Sequence, residues 1–136
     1  MLPFEFIVEG PPLSHQTASR RRLAAWRNKV RAAAQVRWKQ SAIPAAERLQ
    51  IVIVYYHDGE SVRMDNDNLM KPIQDALNGL VYEDDRQVTD ARVRKTSLDG
   101  AFRVRGISAT LAIGFSRGVE FLHIRVDSAP DHEELL

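Results

Sequence analysis

Phe4, Phe6 and Val8 alternate with Glu5 and Glu9, the period-two pattern of a half-buried strand, and the pattern stops at Gly10-Pro11-Pro12. After a polar stretch, Leu23, Trp26, Val30, Ala33 and Ala34 share one stripe at helical spacing, with Arg27 and Arg31 pointing outward, until Pro44 ends the pattern. Trp26 lies in the middle of that stripe and is assigned to the core rather than to a stacking platform. Leu49 to Tyr56 is apolar on both faces, as in a mid-sheet strand, and whatever its own chain leaves uncovered would fall to a partner subunit. Leu69, Ile73, Ala76 and Leu77 predict a second, short helix stopped by Asn78-Gly79. Pro72 lacks an N–H, so this helix is expected to begin near Asn68 or Leu69, leaving Asp65 and Asp67 on the lead-in.

Gln87 to Lys95 reads as an edge strand, and Ile107 to Phe115 alternates without a break and reads as a further strand. A hairpin turn at Leu98 to Ala101 would pair these two antiparallel. Phe121 to Val126 predicts one more short strand, and the acidic end Asp131 to Leu136 is expected to fray. The sum is one domain over residues 1–136 of the α/β (α+β) class, a mixed four- to five-stranded sheet with two main helices.

Composition narrows the class. Apolar residues at 44% with 27% charged residues suit a water-soluble globule, and no window approaches the ~18 apolar residues of a membrane span. The N-terminus carries glutamates where a signal peptide has basic residues, so a cytoplasmic location without membrane contact is expected. With no cysteine there is neither a disulfide nor a thiolate zinc site, and any metal must be held by oxygen or imidazole.

The net charge of +1 conceals segregation: Leu13 to Ala46 holds Arg20, Arg21, Arg22, Arg27, Lys29, Arg31, Arg37 and Lys39 and no acid. One face of a solvated helix accounts for such a run, and a phosphate-binding surface accounts for it better, because like charges repel unless an anion sits among them. From His57 to Asp90 the balance inverts, with nine acids against Arg63, Lys71 and Arg86.

The chemistry concentrates in Asp65 to Val88, where Asp65, Asp67, Asp75, Asp84 and Asp85 surround one lysine, Lys71. Singly, each acid fits a helix cap or a turn. Together they repel one another unless a cation joins them, and Asp65 and Asp67 with the returning Asp84-Asp85 pair form the oxygen-rich set that magnesium takes. An EF-hand is excluded, since its sixth position would be Met70 and its twelfth Ala76. Asp75 follows Lys71 by four residues on the same helical face, which suits an ion pair or a structural bond as well as a catalytic role, and it is not counted among the ligands. No glycine-rich phosphate loop occurs, and His15, His57, His123 and His132 lack zinc-ligand spacing.

The string Asp65-Asn66-Asp67-Asn68-Leu69-x-Lys71-Pro72, then Asp75-Ala76-Leu77-x-Gly79, then Asp84-Asp85-x-Gln87-Val88, resembles the RusA family of Holliday junction resolvases. The likeness covers about residues 1–115, including the Pro11-Pro12 turn and Lys95. The stretch from about 118 to 136 stands as a C-terminal extension without a recognised counterpart. Leu13-Ser14-His15-Gln16 departs from the Ser-x-Asn type of many relatives. The resemblance implies a homodimer that binds branched DNA, the four-way junction, and cuts two strands symmetrically with magnesium, manganese being an alternative ion. By motif it implies Asp65, Asp67 and Asp85 as metal-binding catalytic residues and Lys71 as the catalytic lysine. Lys71 would stabilise charge at the phosphate, or else neutralise Asp67 or Asp75. Arg20, Arg21, Arg22, Arg27 and Arg31 are the expected DNA contacts. Two rival functions are a non-catalytic nucleic-acid-binding module with structural aspartates and a phosphohydrolase of small nucleotides, the second disfavoured by the basic run.

Overall fold

The computed structural model describes residues 2–38, 43–59, 64–100 and 102–134. Lys39, Arg63, Ala101 of the expected hairpin turn and Leu135-Leu136 of the expected frayed end lie outside the described residues.

Strand β1 (Phe4–Glu9) buries Phe4, Phe6 and Val8, as its alternation predicts. Helix α1 (Arg20–Arg37) starts at Ser19, whose Oγ accepts the Arg22 N–H at 3.2 Å, and it buries Leu23, Trp26, Val30 and Ala34. Strand β2 (Leu49–His57), helix α2 (Asn66–Leu77) and strand β3 (Val88–Ser97) form a β-α-β unit, with β2 and β3 parallel. Helix α3 (Ala109–Ser116) and strand β4 (Phe121–Ser128) follow. The sheet order is β1-β4-β2-β3, so β2 is interior, as its two apolar faces require, and β3 is an edge. The described residues therefore form a single α+β domain with a mixed four-stranded sheet and three α-helices.

Three expectations change. Ile107 to Phe115 is not a strand: Ser108 caps α3, its Oγ accepting the Leu111 N–H at 3.1 Å, and the buried residues Thr110, Leu111 and Gly114 follow helical spacing. The alternation misleads because Ile107 and Ile113, two of its apolar positions, stand about half exposed. Among the described residues no antiparallel hairpin joins this segment to β3, which pairs in parallel with β2 alone. The strand from Phe121 is no peripheral addition, since β4 lies between β1 and β2 and is antiparallel to both. The acidic end is pinned as far as a short turn at His132–Glu134, where His132 Nε2 lies 2.8 Å from Asp90 Oδ1.

One face of the sheet packs against α1 and α2 through Phe4, Phe6, Leu49, Ile51, Ile53, Leu122 and Ile124. On the other face Val54 and Tyr56 meet Leu111 and Phe115 of α3 together with Phe121. The second apolar face of β2 is thus covered within the chain. Its polar end carries Glu5, which lies 2.6 Å from His123 Nε2 and accepts the Ser108 hydroxyl at 2.9 Å, tying the start of α3 to the sheet.

Candidate active site

The site gathers at the N-terminal half of α2, where the chain enters from the C-terminal end of β2, the end at which α/β sheets receive ligands. Asp65 is the N-cap residue in extended conformation and makes no side-chain cap bond, and Asp67 lies in the first turn; both are exposed. The helix begins at Asn66, earlier than Pro72 predicts, and Pro72 sits inside it. The reason is local. Pro72 deprives only the carbonyl of Asn68 of its helical donor, and the His15 N–H takes that carbonyl at 2.9 Å. The same contact docks the loop after Pro12 on the first turn of α2.

One turn along, Lys71 Nζ lies 2.9 Å from Asp75 Oδ1 and 3.0 Å from Asp85 Oδ2. Hydrogen bonds with Asp75 first and Asp85 second hold the ammonium above the usual lysine range despite some burial. The chain returns to this place through Gly79, at φ +76°, whose N–H donates to Tyr82 O at 2.7 Å. Tyr82 is buried and its hydroxyl donates to Gln74 O at 2.7 Å, which fixes the return against α2.

The adjacent acids divide the work. Asp84 caps the short turn Asp85–Gln87: it accepts the Arg86 N–H at 2.9 Å and the Arg86 guanidinium, and these bonds hold its carboxyl below the usual range. Gln87 completes a reciprocal capping box, its Oε1 accepting the Glu83 and Asp84 N–H groups while its Nε2 donates to Ala45 and Glu47 carbonyls. Asp84 and Gln87 are thereby spent on the backbone, and Asp85 is the member of the pair that reaches Lys71. Lys95, on β3 beside Tyr55, donates to the carbonyl of Met64 at 2.8 Å and steadies the approach to Asp65. Lys95 was not among the expected site residues, although the family likeness included it.

Among the described residues no three Asp, Glu or His side chains stand close enough to enclose an ion. What the fold joins is Lys71 with Asp75 and Asp85, while Asp65 and Asp67 lie one turn away on the same helix end. Their donor chemistry, carboxylate oxygen throughout with Asp65 free of a capping bond, suits a hard cation.

Residues 10–105 match the family model described as Endodeoxyribonuclease RusA. The chain belongs to the RusA family. Family membership makes it an endodeoxyribonuclease and implies activity on Holliday junctions, and nucleases of the RusA family are generally magnesium-dependent. The matched span ends before α3 and β4, so in this RusA-family chain an interior strand of the sheet comes from outside it. No curated protein matches the chain in sequence. No helix among the described residues is long and apolar enough to cross a membrane.

The basic helix is less uniform than its sequence. Arg20, Arg21 and Arg22 are exposed and Arg27 is half-buried. Arg31 instead turns inward and donates to Ala76 O at 3.0 Å and Asn78 O at 2.8 Å, closing the C-terminus of α2. It holds the site helix in place, a role that the run of arginines concealed.

Proposed function

We propose that this RusA-family chain resolves four-way DNA junctions by paired, symmetric, magnesium-dependent cuts, working as a homodimer. The observation that carries the reading is the Lys71–Asp85 contact beside Asp65 and Asp67 on one helix end. Asp65, Asp67 and Asp85 would hold the ion, which supplies charge neutralisation at the phosphate and a more acidic bound water. Lys71 brings a point charge to the phosphoryl oxygens or the leaving oxygen, and Asp85 with Asp75 aims it. Arg20, Arg21, Arg22 and Arg27 hold the DNA arms by their phosphates, which positions the substrate without reading its sequence. Arg31 is left out of that set because its guanidinium is engaged on α2.

A two-fold substrate favours a two-fold enzyme, since one site alone would have to release and rebind between cuts. The non-catalytic reading keeps one observation on its side, the pairing of Asp85 with an ammonium rather than with other carboxylates. Cleavage of a four-way junction with and without magnesium separates the two. Wild type should cut both strands only with the ion, Asp67→Asn should bind as well or better and cut nothing, and light scattering should give about twice the 15.4 kDa chain mass. Binding and cleavage lost together in a folded Asp67→Asn protein would refute the site.

A further inference from the structure

A second basic run lies beyond the acidic centre. Between Ala91 and Ile107 stand Arg92, Arg94, Lys95, Arg103 and Arg105 against the single acid Asp99. The register of β3 splits them: Lys95 pairs with Tyr55 on the face covered by α2, while Arg92 and Arg94 pair with Val52 and Val54 on the other face. Arg92, Arg94, Arg103 and Arg105 are all exposed, and among the described residues none of the four joins an ion pair.

Topology brings the segment that carries Arg103 and Arg105 to the end of the sheet at which the site lies. β2 and β3 are parallel, so the segments that follow them leave from the same end of the sheet, and the Leu98 N–H donates to His57 O at 2.9 Å at their divergence. One segment leads to Asp65; the other carries Phe102, Arg103 and Arg105. Phe102 rests on the aromatic cluster, its ring 6.0 Å from Tyr56 at 28° and 5.8 Å from Phe115, yet it remains 41% exposed. Charges on an edge strand also discourage sheet-to-sheet pairing. That accounts for Arg92 and Arg94 and not for Arg103 and Arg105, which lie past the strand.

We propose that Arg92, Arg94, Arg103 and Arg105 form a second DNA surface that grips a duplex arm by its phosphates, with Phe102 stacking on a base laid open where the arms meet. An unpaired, like-charged strip is the footprint of a polyanion, and an aromatic ring among arginines suits an unstacked base. The inference rests on the nuclease reading for its substrate and extends the interface to the sheet face opposite α1 and α2.

The test measures anisotropy of a labelled four-way junction and of a linear duplex of the same arms, without magnesium, across a salt series. Arg92→Glu/Arg94→Glu and Arg103→Glu/Arg105→Glu should each flatten the log–log salt slope on both DNAs, by about 0.9 per arginine that meets a phosphate. Phe102→Leu, which keeps apolar contact with Tyr56, should leave duplex affinity within about twofold and weaken junction affinity about tenfold. Slopes unchanged in both double variants would overturn the surface, as would equal weakening of duplex and junction by Phe102→Leu. A protein that cuts junctions normally and shows unchanged slopes keeps the nuclease reading and loses this surface. One that never cuts, but whose duplex binding collapses on charge reversal, keeps the surface and loses that reading.

Discussion

The carbonyl that Pro72 leaves without a helical donor, that of Asn68, receives the N–H of His15 at 2.9 Å. A residue that would ordinarily break α2 is thus the anchor for the loop in front of it. Pro72→Ala restores an N–H four residues after Asn68, so the His15 amide must share its acceptor. Hydrogen exchange should show the new amide of residue 72 protected and the His15 amide exchanging several-fold faster, with stability held or raised by alanine's helix propensity. Unaltered His15 exchange would mean that the loop is held by other contacts.

Lys71→Met should cost at most about 1 kcal/mol of stability, because the side chain is 45% exposed and its ion pairs are screened by solvent. Cleavage should fall by roughly 10²–10³, the scale of losing one positioned charge at the transition state, and Lys71→Arg should rescue it poorly. The sign of the pH effect follows from a folded pKa raised above the ordinary 10.5. The stability that Lys71 contributes is complete below its unfolded pKa and is lost as pH rises through the folded one. The difference in unfolding free energy between wild type and Lys71→Met should therefore be flat from about pH 7 to 9. A decline within that window would contradict the Asp75 and Asp85 contacts.

Arg31→Met removes the donor from the carbonyls of Ala76 and Asn78, and it should destabilise the protein by about 1–3 kcal/mol while leaving the salt dependence of DNA binding intact. Arg21→Glu with Arg22→Glu should do the reverse: thermal unfolding nearly unchanged, and a salt slope flatter by about 0.9 for each lost phosphate contact. Swapped outcomes would mean that Arg31 faces the DNA after all.

Gly114→Ala meets a wall. An added Cβ would stand 2.5 Å from Phe121 Cε2 and 2.7 Å from Cζ, and that ring is itself stacked on Tyr56 and set edge-on to Phe115. A helix normally gains from this exchange, by about 1 kcal/mol. Here overpacking of about 1–3 kcal/mol should prevail, so the melting temperature should fall. A rise would show that the aromatic cluster yields freely.

Much was written in one dimension. The alternation of Phe4, Phe6 and Val8, the stripe Leu23–Trp26–Val30–Ala34 and the two-sided apolar run from Leu49 are each set by local period and burial, and each element formed where its pattern predicts. The Lys71–Asp75 pair at i,i+4 spacing and the family signalled by the string from Asp65 to Val88 were equally legible. Other features depended on what lies across the fold. Ile107 to Phe115 carries both periods, and the helix prevails because Leu111 and Phe115, four residues apart, can then pack together on Val54, Tyr56 and Phe121 of the sheet, while Ser108 supplies a cap. Asp84 and Asp85 look alike in sequence, and only the return of the chain past Tyr82 commits one to the Arg86 backbone and the other to Lys71. Arg31 resembles its neighbours until α2 offers it two open carbonyls. A residue's period is a property of its own segment, whereas its partner is a property of whichever segment the tertiary fold brings within hydrogen-bonding distance.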